Sequence, residues 1–329
     1  MATPAPAAPW MLGTSPSMTK RRRGTLPPAF PAPRIAYPPS PPYNLAAMAD
    51  SGRAFVKMHG LGNDFVIVDA RREAFAPDAE LARRIADRHR GVGFDQLITI
   101  EPPADGGLAR LRFLNSDGSE SAACGNGTRC VAWLLAEESG ESAFGLETNV
   151  GLLDCRREGA LEMTVDLGPA RQGWREIPLA REMDTLHLDL ALGPLSDPAA
   201  VSVGNPHATF FVDDVDAVDI ESLGPRLEHD PLFPERANVA VASLLGPDRL
   251  RVRVWERGAG LTQACGTGAS AAAVNAARRG LTGRRVETRL DGGRLTVEWR
   301  ADGHVLMSGP VSLSFEGRLS AALLAGAEA

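Results

Sequence analysis

A four-residue pattern, Cys-Gly-x-Gly, occurs twice in this chain, at Cys124 and at Cys265, with an offset of 141 residues (265 minus 124). Two pairs of amide residues repeat at an offset of 142 (205 minus 63), namely Asn63 with Asn205 and Gln96 with Asn238. A repeat of this length predicts two halves with similar folds. Each half would bring amides and a cysteine turn to a site between the halves, where ligand sites often lie.

Both cysteines immediately precede a segment with helical character. The segment from about 125 to 139 has apolar residues three and four positions apart and stops at Gly140. The segment from about 266 to 279 is rich in alanine and is closed by Gly280. The sequence therefore predicts that each cysteine lies at the N-terminus of a helix.

A helix N-terminus is a suitable place for a reactive thiol. A free thiol titrates near ~8.5, and the unpaired N–H groups of a helix N-terminus can lower that pKa to between ~3.5 and ~7.5 by stabilising the anion. The glycines of the pattern let backbone N–H groups approach a ligand closely. The same N–H groups could instead hold a substrate carboxylate.

The chemistry of two related thiols differs from that of one. A single nucleophilic cysteine in acyl transfer needs a histidine beside it, and neither pattern contains one. Inversion of a tetrahedral carbon needs one group to remove a proton from one face and a second group to deliver a proton to the other. A thiolate and a thiol can do this and can exchange roles with the direction of reaction.

The other two cysteines are predicted to be buried, as free cysteines usually are. Cys130 lies inside the first helical segment, and Cys155 lies in a strand-like run. Four scattered cysteines are too few for a disulfide framework and indicate thiols in a reducing compartment, which predicts a cytoplasmic location. No CxxC pattern is present, so no metal site is predicted.

Composition favours a globular chain long enough for two compact domains, with 44% hydrophobic and 23% charged residues. Short alternating or β-branched runs, at 54–58, 65–68 and 250–255, predict strands in both halves. All 41 acidic residues follow residue 47, and so acidic a folded part argues against nucleic acid as a partner. No apolar run approaches the ~20 residues of a membrane span, so no membrane partner is predicted.

The N-terminal segment differs from the rest of the chain. Residues 1–47 contain 12 of the 25 prolines, and such a segment cannot bury enough surface to become ordered. The basic run 20–23 is a feature of transit peptides, but the prolines oppose the amphipathic helix that those peptides form. We predict that residues 1–53 are a disordered extension and that Met48 is the natural start.

The chain from about Phe55 to about Gly317 resembles the diaminopimelate epimerase family. The order and spacing of several motifs carry this resemblance. They are Lys57-Met58-His59-Gly60-Leu61-Gly62-Asn63-Asp64-Phe65, Gly93-Phe94-Asp95-Gln96, Asn115-Ser116-Asp117-Gly118-Ser119-Glu120, Gly204-Asn205-Pro206-His207, Phe233-Pro234-Glu235-Arg236-Ala237-Asn238, Glu256-Arg257-Gly258-Ala259-Gly260, and the two cysteine turns.

The resemblance implies interconversion of LL- and meso-2,6-diaminopimelate, a step in the biosynthesis of lysine and of peptidoglycan precursor. It implies that Cys124 and Cys265 are the catalytic pair and that no cofactor takes part. In agreement with this, residues 59–65 are not a dinucleotide fingerprint, because Phe65 replaces the third glycine and no helical pattern follows.

The resemblance also assigns the remaining site residues. Those expected to orient the substrate through amides or backbone donors are Asn63, Gln96, Asn115, Asn205, Asn238, Gly125, Asn126, Gly266 and Thr267. Arg257 is suited to a bidentate grip on the distal carboxylate, and Glu256 to the distal ammonium. His207 and Glu256 are expected to tune the pKa values of the cysteines.

By resemblance the fold class is α+β, with two pseudo-symmetric domains that each wrap a mixed, curved sheet around a central helix. The expected domains are 54–168, joined by about 311–322, and 169–310. Phe315 stands where some relatives have a tyrosine that is thought to help dimerisation. A homodimer is therefore an expectation from the family alone.

Three alternatives stay open at this point. A proline or hydroxyproline racemase shares the two-thiol logic, but its substrate would not require the amide set together with Glu256 and Arg257. A catalytically silent binding protein of the same fold is the second. The third is a redox sensor in which Cys124 and Cys265 form a disulfide, because two thiols that flank one carbon would lie close together.

Overall fold

The computed structural model describes residues 52–326, so the predictions for residues 1–47 and for Met48 fall outside the described residues. The helices of the described part are α1 Ala79–Ala86, α2 Gly125–Ser139, α3 Ile220–Glu228, α4 Gly266–Arg278 and α5 Ala321–Ala325. The two helices predicted after the cysteines are confirmed as α2 and α4, with the end of α4 one residue earlier than predicted. No helix within 52–326 is long and apolar enough to cross a membrane.

Strands make up most of the regular structure, as the alternating sequence runs predicted. The first half contains β1 Arg53–Gly60, β2 Asn63–Asp69, β3 Gln96–Glu101, β4 Ala109–Asn115, β5 Glu120–Ser121, β6 Ala143–Thr148, β7 Gly151–Gly159 and β8 Glu162–Pro169. The second half contains β9 Ala191–Leu192, β10 Leu195–Ser196, β11 Ala199–Ser202, β12 Pro206–Phe211, β13 Asn238–Gly246, β14 Arg249–Glu256, β15 Gly260–Leu261, β16 Arg285–Leu290, β17 Gly293–Trp299, β18 His304–Pro310 and β19 Ser312–Leu319.

The two halves repeat the same order of strand pairings. In the first half, β1 to β4 pair in sequence as antiparallel, parallel and antiparallel, followed by a parallel pair of β4 with β6 and antiparallel pairs to β7 and β8. Strands β11 to β14, β16, β17 and β18 repeat this order. The internal duplication predicted from the sequence is therefore confirmed in the topology.

The register of the parallel pairs repeats as well. Phe65 lies opposite Gln96 between β2 and β3, and His207 lies opposite Asn238 between β12 and β13. Both members of the second pair follow their counterparts by 142 residues (207 minus 65 and 238 minus 96). The amide positions that matched in the sequence are thus equivalent positions of the two folds.

Each long helix packs inside its own half. Helix α2 is buried along most of its length, and residues such as Val131 and Leu134 pack with the first-half strands. Helix α4 contributes Ala272 and Val274 to a second core with β11 to β14 and β16 to β18. Antiparallel pairing of β18 with β8 joins the two halves, and β19 returns to pair with β1. The chain thereby holds the N-termini of both helices near the junction.

An ion cluster stabilises the turn region of β2. Asp64 accepts hydrogen bonds from Arg88 at 2.8 and 3.0 Å and from the Lys57 Nζ at 2.6 Å. Burial by itself would raise the pKa of Asp64, but these hydrogen bonds and charges lower it to about 2 from 3.8. The stabilisation is therefore present above pH 4 and is lost as the pH falls from 4 toward 2.

We expect Asp64→Asn to lower the free energy of unfolding by about 1–2 kcal/mol at pH 7, after allowance for solvent screening. At pH 2 most of this difference should be lost, because Asp64 is then about half protonated in the folded protein and almost fully protonated in the unfolded chain. Urea unfolding at both pH values measures the difference. Replacement of the exposed Asp154 by asparagine is the control, and a difference for Asp64→Asn that did not shrink in acid would contradict the assignment.

Candidate active site

Both cysteines cap the helices that follow them, as the sequence predicted. The Cys124 Sγ accepts a hydrogen bond from the backbone N–H of Gly127 at 3.5 Å, and the Cys265 Sγ accepts one from Gly268 at 3.2 Å. Cys265 is only 3% exposed, and Cys124 is partly exposed. Each thiol therefore lies at a helix N-terminus and accepts a hydrogen bond from a backbone N–H group that has no partner within the helix.

The side chain of Asn126 connects the two cysteine turns. Its Nδ2 donates to the carbonyl oxygen of Ala264 at 3.1 Å, and Ala264 immediately precedes Cys265. The same nitrogen lies 3.3 Å from the Oδ1 of Asn63, which in turn is 3.9 Å from the Cys124 Sγ. Residues far apart in the sequence thus form one continuous site.

A hydrogen-bonded chain leads from His207 to the second thiol. The Nε2 of His207 lies 2.8 Å from the Oδ1 of Asn205, and the Nδ2 of Asn205 donates to the hydroxyl of Thr267 at 3.5 Å. That hydroxyl is 3.5 Å from the Cys265 Sγ. Burial, and then the charge of Arg257, lower the pKa of His207 to about 3, so the imidazole is neutral at physiological pH. His207 therefore influences Cys265 through a chain of neutral hydrogen-bonding groups, not through a positive charge of its own.

Glu256 lies next to Cys265. Its Oε1 accepts a hydrogen bond from the hydroxyl of Thr262 at 2.5 Å, and its carboxyl group also hydrogen-bonds Cys265. Burial raises the pKa of Glu256, and the charge of Asp95 adds to that effect. A carboxylate here favours the protonated form of Cys265, since a thiol can donate to it and a thiolate would be repelled by it.

The pKa values of both thiols differ from the sequence expectation. Burial raises the pKa of Cys124 to about 11, although the N–H of Gly127 lowers it in part. The pKa of Cys265 is raised well above its usual value, first by burial and then by the charge of Glu256. Removal from water therefore outweighs the helix N-terminus, which sequence reasoning had considered alone.

Arg257 and Asn238 form a second group at the edge of the site. The backbone N–H of Arg257 donates to the Oδ1 of Asn238 at 3.0 Å, while its Nη1 donates to the carbonyl of Glu235 at 2.9 Å. The Nδ2 of Asn238 donates to the Pro206 carbonyl at 2.9 Å. Asn238 thus supports the loop that carries Arg257, and the exposed guanidinium is directed by a backbone contact.

Gln96 and Asn115 form a separate pair of amides. They lie opposite one another on β3 and β4, and the Nε2 of Gln96 donates to the Oδ1 of Asn115 at 2.9 Å. The Oε1 of Gln96 is buried without a hydrogen-bond partner in the described part of the protein. This pair makes no hydrogen bond to either thiol within residues 52–326, so its place in the site is less direct than that of Asn63 and Asn126.

The structure adds a site residue that the sequence reasoning passed over. Asp95 accepts a hydrogen bond from the Nδ2 of Asn63 at 2.9 Å, which turns the Oδ1 of Asn63 toward Cys124 and Asn126. Burial raises the pKa of Asp95. The available signal was its position in the motif 93–96, directly before Gln96.

Among residues 52–326 no three His, Cys, Asp or Glu side chains are grouped as metal ligands.

Comparison with known proteins identifies the family of this chain. The model of the diaminopimelate epimerase family matches residues 55–172 and 199–314. Diaminopimelate epimerase of Acidiphilium cryptum is 60% identical over 84% of this chain and 99% of its own length, and that of Rhodospirillum centenum is 57% identical over 83% and 94%.

A solved structure extends the comparison to the fold. The crystal structure of a probable proline racemase from Agrobacterium radiobacter K84 superposes with a TM-score of 0.61, covering 82% of this chain and 93% of that one. At 15% identity this likeness shows the α+β fold alone. The level of identity to the epimerases, over nearly their whole length, decides the family. The chain belongs to the diaminopimelate epimerase family.

Proposed function

We propose that this protein is a diaminopimelate epimerase that interconverts LL- and meso-2,6-diaminopimelate, with Cys124 and Cys265 as the acid–base pair. The observation that carries the proposal is the joining of two cysteine-capped helix N-termini through Asn126. In the biosynthesis of lysine and of peptidoglycan precursor, such an enzyme would supply the meso isomer.

The proposed reaction exchanges one proton for another at the α-carbon. One cysteine, as thiolate, removes the α-proton from one face, while the other, as thiol, delivers a proton to the opposite face. The backbone N–H groups of Gly125, Asn126, Gly266 and Thr267 would hold the reacting carboxylate, where they stabilise the negative charge that develops beside it. The reverse reaction uses the same two groups with their protonation states exchanged.

The two cysteines are electrostatically unequal, which supports an assignment of starting states. The Glu256 carboxyl group disfavours a thiolate at Cys265 through both a hydrogen bond and its charge, whereas it acts on Cys124 through its charge alone. We therefore assign the thiol to Cys265 and the thiolate to Cys124 at the start of one direction of the cycle. His207, through Asn205 and Thr267, would assist Cys265 by orienting dipoles.

Charged and amide side chains would bind the distal amino-acid end of the substrate. Arg257 is proposed to bind the distal carboxylate, since a guanidinium can bind a carboxylate with two parallel hydrogen bonds. Glu256 is proposed to face the distal ammonium as well as Cys265. Asn63, Gln96, Asn115 and Asn238 are proposed to orient the substrate through neutral donors and acceptors.

Several finer features of the protein are proposals on the same basis. We propose reaction without a cofactor, a cytoplasmic location supported by four free cysteines, and a homodimer. We also propose a division into domains 54–168, with 311–322, and 169–310. Strand β1 begins at Arg53, one residue before the first of these bounds.

Hydrogen exchange tests the function directly. In deuterated water without added cofactor, we expect the protein to introduce deuterium at the α-carbon of LL-diaminopimelate and to form the meso isomer. L-Proline should remain unlabelled, because it has no distal amino-acid end. Mass spectrometry and chiral chromatography measure the two events.

Other results of that experiment would contradict the proposal. Exchange on proline would indicate a racemase of the same fold. No exchange on either substrate would indicate a binding protein or, if peroxide produced a peptide crosslinked through Cys124 and Cys265, a redox sensor.

A further inference from the structure

A fully buried arginine lies behind the cysteine turns. Arg129, in α2, has no exposed surface, and its Nη1 lies 3.4 Å from the thioether sulfur of Met307. Its Nε and Nη2 have no hydrogen-bond partner among residues 52–326. A guanidinium carries five N–H donors, so most of the hydrogen-bonding capacity of this side chain is unsatisfied within the described part of the chain.

The surroundings of Arg129 leave room for a guanidinium directly beneath the turns. A β-carbon on Gly60 would lie 3.1 Å from Nη2, and one on Gly309 would lie 3.5 Å from Cζ. Met307, which contacts Arg129, would itself be 2.6 Å from a β-carbon on Gly125 and 2.7 Å from one on Gly266. Met307 thus packs against both cysteine turns, and Arg129 packs against Met307.

The Arg129 guanidinium has no carboxylate partner in the described part of the protein. No carboxylate within residues 52–326 forms a salt bridge with Arg129, and burial of an unpaired charge is strongly unfavourable. Side chains of a helix point toward its N-terminus, where the helix dipole also disfavours a cation. An anion at the turn would offset all of these costs.

The candidate anion is at Cys124. The titratable groups whose charges act on Arg129 are Cys130 and Cys124, and those that act on Cys124 are Glu256 and Arg129. Of the two cysteines near Arg129, Cys130 is fully buried in the helix with a pKa of about 12, which leaves Cys124 as the thiol that reacts. Arg129 opposes the effect of Glu256 on Cys124.

The second half has no such charge. The residue equivalent to Arg129 at an offset of 141 (270 minus 129) is Ser270 in α4, a fully buried hydroxyl. On that side the charged neighbour of the thiol is the Glu256 carboxylate. The Cys265 thiol is therefore acted on by the Glu256 carboxylate, whereas the Cys124 thiol is acted on by Glu256 and, in the opposite sense, by Arg129.

We propose that Arg129 is a positioning residue of the epimerase site, the buried counter-charge of the Cys124 thiolate, which decides which of two equivalent cysteines carries the negative charge. This inference rests on the proposed function, because it assigns the charge a role in the acid–base pair. The arginine does not touch the substrate and acts through Cys124.

The test is the titration of each thiol in variants of Arg129. Alkylation by iodoacetamide as a function of pH, with the modified peptides resolved by mass spectrometry, reports Cys124 and Cys265 separately. In Arg129→Met the midpoint for Cys124 should rise by roughly one unit or more, as expected for loss of a nearby opposite charge. The midpoint for Cys265 should stay unchanged, and kcat for diaminopimelate should fall ~10-fold or more, with a smaller change in KM.

Two further variants separate charge from structure. Arg129→Lys keeps the charge and should restore most of the Cys124 midpoint. Arg278→Met is the matched control, because Arg278 is a partly buried arginine of α4 whose guanidinium is satisfied by the Ala200 carbonyl at 2.6 Å and the Thr185 hydroxyl at 2.8 Å. It should lower the melting temperature without moving either thiol midpoint.

An unchanged Cys124 midpoint in folded Arg129→Met would overturn the proposal. If Arg129→Met does not fold, the Cys124 midpoint is compared instead between the neutral Arg129→Gln and the charged Arg129→Lys. Failure of the parent protein to epimerise diaminopimelate would overturn the proposed function instead. The thiol titration needs no substrate, so the two failures are distinguishable.

Discussion

Replacement of either Cys124 or Cys265 by alanine is expected to lower kcat/KM for epimerisation of diaminopimelate by roughly 10³- to 10⁴-fold, because each variant lacks the acid or the base on one face. Exchange and epimerisation should then separate. The remaining thiol can still remove a proton from its own face and return a deuteron to it, so each variant should label only one isomer, without inversion. Nuclear magnetic resonance of LL- and meso-substrate in deuterated water measures both.

The control for this prediction is Cys155→Ala. Cys155 is buried in β7, with a thiol pKa that burial raises to about 12, and it lies outside the proposed site. Its replacement should leave kcat/KM within about twofold and change only stability, through the small cavity left behind. A Cys124 or Cys265 variant that labelled both isomers equally would contradict a pair of bases on opposite faces.

Gly292→Ala is expected to destabilise the protein by about 2–3 kcal/mol or more and to reduce kcat as well. Gly292 lies in the β16–β17 turn, and its N–H donates to the Gln263 carbonyl at 2.8 Å. A β-carbon at this position would overlap the carbonyl group of Leu61, which is backbone and cannot rotate away. The turn that carries Asn63 would have to move away from the Cys265 turn.

A second glycine provides the comparison for this steric argument. Gly159, at the end of β7, has no neighbouring atom closer than 3.7 Å to an added β-carbon and no positive φ. Gly159→Ala should therefore be neutral or stabilise by a few tenths of a kcal/mol, through the unfolded chain. Thermal and urea unfolding of both variants, with kcat, measure the effect; equal stabilities would contradict the close packing at Gly292.

Local patterns predicted the elements that carry the site. The sequence predicts both cysteines at helix N-termini because glycines and helix formers follow them directly. Gly140, in the left-handed conformation, ends α2 as predicted. The duplication was readable because strand register repeats wherever the sequence repeats, as Phe65 with Gln96 and His207 with Asn238 show. These features depend on near neighbours in the chain.

Properties that depend on distant neighbours needed the structure. The raised pKa of Cys124 follows from burial, and a sequence does not state how much water a turn will lose. The roles of Asp95, which orients Asn63, and of Arg129 are contacts between segments far apart in the chain. The motif that contains Asp95 was recognised, but a motif does not say which of its members faces which partner.

The fold family, the two helix-capping cysteines and the duplicated amides could be predicted from the sequence, because periodicity, capping and repeats are encoded within a few residues. Three features follow from contacts between distant segments: the meeting of the two turns through Asn126, the hydrogen bond between Glu256 and Cys265, and the burial of Arg129 against Met307. Charge and desolvation act through space. The inequality of two nearly identical cysteine turns therefore arises from the different charged side chains that the fold brings to each turn.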